Sequence, residues 1–149
     1  MMIFDQQNAA KILEKALKFE VEGYYFYKQY SQEISDEKTK KLFELLCDEE
    51  KKHYKKISEL FQKHAFDEYQ SFQTRYRGDY LESGAFEKIK FENDKPLLIQ
   101  VKNYAIKKEK DFIEYYGKLR DELLDDGLRQ VFDDIIEQEK GHVKLLEKI

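Results

Sequence analysis

Two short stretches of this chain could do chemistry: Glu50-Lys-Lys-His53 and, 89 positions later, Glu139-Lys-Gly-His142. On a helix, residues three apart share a face, so each stretch sets a carboxylate beside an imidazole. One such pair on a charged helix is commonly a solvated couple. Here both fall in apolar seams, and each has a further seam glutamate 30 positions before its own Glu: Glu20 before Glu50, and Glu109 before Glu139.

The elements that must position these residues can be read from the seams. The first helix is expected from Asn8 to Ile34, through Leu13, Ala16, Glu20, Gly23, Tyr27, Tyr30 and Ile34, with Asn8 or Asp5 as its cap. Ser35 and Asp36 mark a turn. A second helix to His64 follows, with Phe43, Leu46, Glu50, His53, Ile57, Leu60 and His64 in its seam. Residues 65–95 lose this periodicity. They read as a long crossover with a short helix, whose aromatics (Phe66, Tyr69, Phe72, Tyr76, Tyr80, Phe86, Phe91) pack on the bundle or on a partner subunit. Asn93-Asp94-Lys95-Pro96 signals the start of a third helix, reaching Leu124 through Ala105, Glu109, Phe112, Tyr116, Leu119 and Leu123. After the turn at Asp125-Asp126-Gly127, a fourth helix runs to Ile149 through Phe132, Ile135, Glu139, His142 and Leu146. One Pro and six Gly in 149 residues agree with long helices and a single domain.

The two halves align without a gap. Ala16 meets Ala105, Tyr27 meets Tyr116, Phe43 meets Phe132 and Leu60 meets Ile149. Each half is then one helical hairpin, 8–64 and 96–149. In an antiparallel hairpin, residues at one level are equidistant from the turn. The midpoint of Glu20 and Glu50 is Ser35, and that of Glu109 and Glu139 is Leu124, where the loops were placed independently. All four glutamates therefore sit near mid-bundle. The expected fold is all-α: a four-helix bundle of two antiparallel hairpins joined by one long crossover.

Four carboxylates buried together must take up protons or meet equal positive charge. No Lys or Arg lies at the central seam positions, whereas two divalent cations would neutralise the four acids. A donor set of carboxylate and imidazole suits iron, manganese or zinc and does not suit calcium. His64 lacks a Glu three residues before it and reads as structural.

This arrangement, a Glu from two helices and Glu-x-x-His from the other two, is that of ferritin-like di-metal bundles. Over essentially its whole length the chain resembles the rubrerythrin branch of that superfamily. The resemblance implies that Glu50 and Glu139 bridge two iron ions, that Glu20 with His53 completes one position, and that Glu109 with His142 completes the other. Two features differ from rubrerythrins proper. The single cysteine, Cys47, cannot build their four-cysteine rubredoxin-type iron site. Their additional third-helix carboxylate is also missing, since Ile106 and Phe112 stand three residues either side of Glu109. The site is in this respect more similar to the symmetric six-ligand type of bacterioferritins and related oxidases.

Three functions fit. The first is a di-iron or di-manganese oxidoreductase that reduces O2 or hydrogen peroxide in oxidative-stress defence. Its electron donor would be a separate molecule such as a rubredoxin, and Tyr24, Tyr27 and Tyr116 would supply hydrogen bonds or electrons. The second is ferroxidation for iron handling. The third is a non-enzymatic metal-binding module. Core packing is the competing role for the three tyrosines, and Cys47 reads as a helix-packing residue. Gly23, which meets Phe112 in the repeat, would open access to one metal only. A formal net charge of −4 with well-mixed signs gives no footprint for nucleic acid or an anionic membrane. Without a signal peptide or an apolar span, a cytoplasmic homodimer is expected.

Overall fold

The computed structural model describes the backbone of residues 2–75 and 90–149 and the side chains of 8–75 and 90–149. Among these residues five helices follow in order: α1 (Met2–Glu33), α2 (Glu37–His64), α3 (Phe66–Arg75), α4 (Leu97–Glu122) and α5 (Asp126–Glu147). Among the described residues there is no strand. The short loops 34–36 and 123–125 are centred on Ser35 and Leu124, so α1–α2 and α4–α5 are the two expected antiparallel hairpins.

Both hairpin turns are fixed by an aspartate. Asp36 Oδ2 accepts from the backbone N–H of Thr39 at 3.0 Å, and Asp125 Oδ1 from that of Leu128 at 2.9 Å. Each satisfies a donor that the first turn of a helix leaves without a partner. Of the other two helix starts, that of α4 falls where the Asn93–Pro96 signal puts it and that of α1 differs from expectation. α1 begins at Met2, ahead of both Asp5 and Asn8, because nothing in Met-Ile-Phe-Asp-Gln-Gln breaks a helix. Asn8 instead donates from Nδ2 to the carbonyl of Glu122 at 3.4 Å, at the far end of α4. α4 starts at Leu97 with Pro96 as its cap residue and no side-chain cap. The Gln100 amide ties the preceding loop by donating to the carbonyls of Glu92 at 2.8 Å and Lys95 at 3.0 Å.

The core is in two parts. One gathers Leu13, Leu17, Ile57, Phe61, Phe72, Leu119, Phe132 and Ile135, and the other Phe26, Tyr30, Phe43, Leu46, Val101 and Leu146. The first draws on the start of α1 and α5 and the end of α2 and α4; the second draws on the opposite ends. Thus α1 runs antiparallel to α2 and α4, and parallel to α5. The chain leaves α2 at one end of the bundle and must enter α4 at the other. That span, roughly 40 Å for a helix of α4's length, is why a long connection is required.

The short helix in the crossover is present as α3, held by Phe72 against Phe61 with ring centroids 5.8 Å apart. Phe91 packs on Tyr30 and Tyr104, whereas Phe66 is exposed. Tyr76, Tyr80 and Phe86 lie outside the described residues. Beyond His53 the buried seam of α2 steps to Ile57 and Phe61, leaving Leu60 and His64 at its margin. Cys47 is half-buried, its Sγ 3.6 Å from the Tyr24 carbonyl, and burial pushes its thiol up to about 11. It packs as a neutral side chain.

Candidate metal centre

Between the two apolar cores lies a polar layer. Glu20, Glu50 and Glu139 are fully buried, with Glu109, His53 and His142 nearly so. α1 supplies Glu20, α2 Glu50 and His53, α4 Glu109, and α5 Glu139 and His142. Their donor atoms form two overlapping groups. Glu20, Glu50, His53 and Glu139 make one; Glu50, Glu109, Glu139 and His142 make the other; and within each group all the atoms lie within 4.8 Å of one another. Glu50 and Glu139 belong to both. His64 belongs to neither.

The imidazoles reach across the bundle. His53 Nδ1 is 3.1 Å from Glu139 Oε1 and 3.4 Å from Glu20 Oε2, but 4.0 Å from Glu50 on its own helix. His142 Nδ1 is 3.3 Å from Glu139 Oε2, 3.6 Å from Glu50 Oε1 and 4.0 Å from Glu109 Oε2. The rings lie nearly parallel, 6.1 Å apart.

Two of the three tyrosines singled out in the sequence close the layer from opposite sides. Tyr27 on α1 donates its hydroxyl to Glu109 Oε1 on α4, and Tyr116 on α4 donates to Glu20 Oε1 on α1, both at 2.6 Å. Tyr116 also lies 3.3 Å from the Ala16 carbonyl. Tyr24 is placed elsewhere. It is only partly buried, with its ring against Tyr25 and 5.6 Å from the Lys28 ammonium, and no described contact joins it to the acids. On a helix it is one position past Gly23 and so turns off the seam.

The electrostatics are those of a crowded acid cluster. Burial first, then Glu139 and Glu20, push Glu50 well above the usual carboxylate range. For Glu139 burial acts the same way, yet the hydrogen bond to His142 and the His53 ring 3.1 Å away outweigh it and bring it to about 2. Of the two shared carboxylates, Glu50 is thus the one that favours a proton, and Glu139, which has the shorter contacts to both imidazoles, favours the charge. Burial disfavours the His53 cation, but Glu20 and Glu139 overcome it and raise the ring to about 11. Burial and the nearby acids also raise Tyr27 and Tyr116, so both phenols stay protonated and can only donate to a carboxylate.

Glu20 Oε2, both oxygens of Glu50, Glu109 Oε2, Glu139 Oε1 and His53 Nδ1 are buried without a hydrogen-bond partner. Unpartnered buried polar atoms are rare and costly. Six of them converging on one layer, five from carboxylates and one from an imidazole, form the donor set that a pair of divalent transition metals requires. Gly23 belongs to this packing: a Cβ there would lie 3.2 Å from the Glu50 carboxylate carbon and from its Oε2. Its counterpart in the repeat, Phe112, is buried. Sequence reasoning missed Gln138, whose Oε1 bonds His53 Nε2. Its only sequence signal is its place immediately before Glu139.

Fold and site together define a ferritin-like carboxylate bundle. The rubrerythrin family profile matches residues 11–149, and the chain belongs to that family. It is similar to a solved structure from Thermotoga maritima described as a ferritin-like diiron-carboxylate protein. The two share 29% identity over 94% of this chain and 92% of that one, with a TM-score of 0.69. No curated protein matches the chain. No helix is long and apolar enough to cross a membrane among the described residues.

Proposed function

We propose that this protein is a non-haem di-iron oxidoreductase that reduces O2 or hydrogen peroxide, with manganese as the alternative metal. The observation behind this reading is the pair of overlapping donor groups sharing Glu50 and Glu139. Two carboxylates shared in this way would hold a pair of ions that act together on one small molecule. Glu20 and His53 would complete one position, and Glu109 and His142 the other. When bound, a pair of redox-active ions supplies the two electrons that, with two protons, turn hydrogen peroxide into two waters. A separate donor, such as a rubredoxin, then returns the electrons, since the one cysteine of this chain cannot hold a rubredoxin-type iron.

The chain's own residues shape the site. Tyr27 and Tyr116 each fix one oxygen of a terminal glutamate and leave the other, Glu109 Oε2 or Glu20 Oε2, free to face the layer. The apolar cores above and below keep out bulk water, which strengthens every charge interaction between them. Gly23 opens no approach to one metal, contrary to the sequence expectation: it is buried, and its bare backbone lets the Glu50 carboxylate lie close against α1.

The test is stopped-flow mixing of anaerobic Fe(II)-loaded protein with O2 or hydrogen peroxide. Oxidation faster than that of free Fe(II) is expected. A rate equal to free iron would overturn the reading. We take the working form to be a homodimer and not a storage shell; light scattering distinguishes the two.

A further inference from the structure

The two halves match in their carboxylates but not in their histidines. Each terminal glutamate accepts a tyrosine hydroxyl at the same 2.6 Å. The Nε2 atoms differ. That of His53 bonds Gln138 Oε1 on α5, and an amide oxygen can only accept, so Nε2 carries the hydrogen. Held this way, the ring turns Nδ1 to the acid layer, 3.1 Å from Glu139 Oε1 and 3.4 Å from Glu20 Oε2, where an arriving metal would take the place of its proton. The position equivalent to Gln138 in the other half is Glu49. Its carboxylate could hold His142 Nε2 in the same way, but it turns instead to Lys52 on its own helix, 3.7 Å away. No described residue hydrogen-bonds His142 Nε2.

We propose that the two metal positions are unequal and that the Glu20–His53 position, where Gln138 fixes the imidazole, takes the first divalent ion. The physical reason is preorganisation. The His53 ring is held through Nε2, which leaves Nδ1 in place for the metal, while the described residues hold the His142 ring only through Nδ1, the atom the metal would take. Losing such an outer partner typically weakens metal binding about 10–100-fold, which sets the size of the difference. Gln138 is a positioning residue acting through His53. The inference rests on the two-metal reading of the cluster and not on redox activity.

The experiment is a titration of metal-free protein with Zn(II), followed by nitrogen NMR of 15N-histidine-labelled protein. His53→Ala and His142→Ala samples assign the signals. In the unmodified protein the His53 signals should shift over the first equivalent and those of His142 over the second. In Gln138→Leu, with its fold checked by circular dichroism, the two should shift together. Parallel shifts in the unmodified protein, or His142 moving first, would overturn the inference. So would an order unchanged in Gln138→Leu. Ordered zinc binding without Fe(II) oxidation would leave this inference standing and remove the proposed activity.

Discussion

Replacing Glu50 by Gln separates the two demands on the polar layer, folding and metal binding. In the metal-free protein at pH 7 Glu50 is held as the neutral acid by burial and by Glu139 and Glu20. Gln has the same shape and is also neutral. The substitution then removes no charge from the folded layer and spares the proton that Glu50 must take up on folding at pH 7. A gain in stability fits equally, and any cost should stay within about 1 kcal/mol, the scale of one rearranged hydrogen bond. For a chain of this size that is about 2–4 °C in melting temperature. With metal the result reverses. Ions at 100 times their dissociation constant stabilise the wild type by roughly 2.7 kcal/mol per site, or about 5–11 °C. Glu50 belongs to both donor groups, so Gln at this position weakens both and loses most of that gain. Thermal unfolding followed by circular dichroism, in EDTA and with excess Zn(II), reads both effects. A loss beyond about 3 kcal/mol in EDTA would mean that Glu50 is ionised and paired, which would refute the reasoning.

Metal loading at pH 7 should release two protons, one from Glu50 and one from His53, both protonated in the metal-free layer. Calorimetry in buffers of different ionisation heat measures this, and release near zero would contradict the assignment. The metal-free protein should be most stable in mild acid. The raised pKa of His53 contributes stability that is complete below the ordinary 6.5 and lost as pH rises toward about 11; the raised pKa of Glu50 acts in the same direction from 4.5 upward. The lowered pKa of Glu139 contributes stability that is complete above 4.5 and lost as pH falls toward 2. Melting in EDTA across pH should thus peak near 4.5 and decline above it, more steeply beyond about 6.5, and a maximum above pH 8 would count against this balance. Tyr116→Phe leaves Glu20 Oε1 without its donor and should cost about 1–3 kcal/mol in the metal-free protein. Denaturant unfolding checks it, and an unchanged midpoint would show that water replaces the phenol.

Much of this site was legible because the sequence repeats itself. A seam alone places Glu20 or Glu50 toward a core; only the matched spacing about Ser35 and Leu124 puts all four acids at one level. The loops fell where that spacing requires. What stayed hidden depends on contacts between halves or on local competition. Asn8 is an ordinary capping residue in sequence, but it serves the end of α4, which only the folded bundle brings near. Tyr24 and Tyr27 look alike from Glu20, yet one lies off the seam and the other on it. Gln138 reads as a solvated helix residue, and only the arrival of α2 beside α5 gives it His53 as a partner. The Asn93–Pro96 start signal was legible, since α4 begins at Leu97, directly after Pro96.

Neither hairpin can build even one metal position. The first lacks Glu139 and the second lacks Glu50, and each tyrosine serves a glutamate of the other half. The centre is thus an interface lying on the pseudo-twofold axis between two equivalent pieces. Separate hairpins would have to find each other and the ions by collision. Joined by residues 65–95, they meet at an effective concentration on the order of millimolar. The crossover thereby turns assembly of the centre from a concentration-dependent encounter into a property of the single chain.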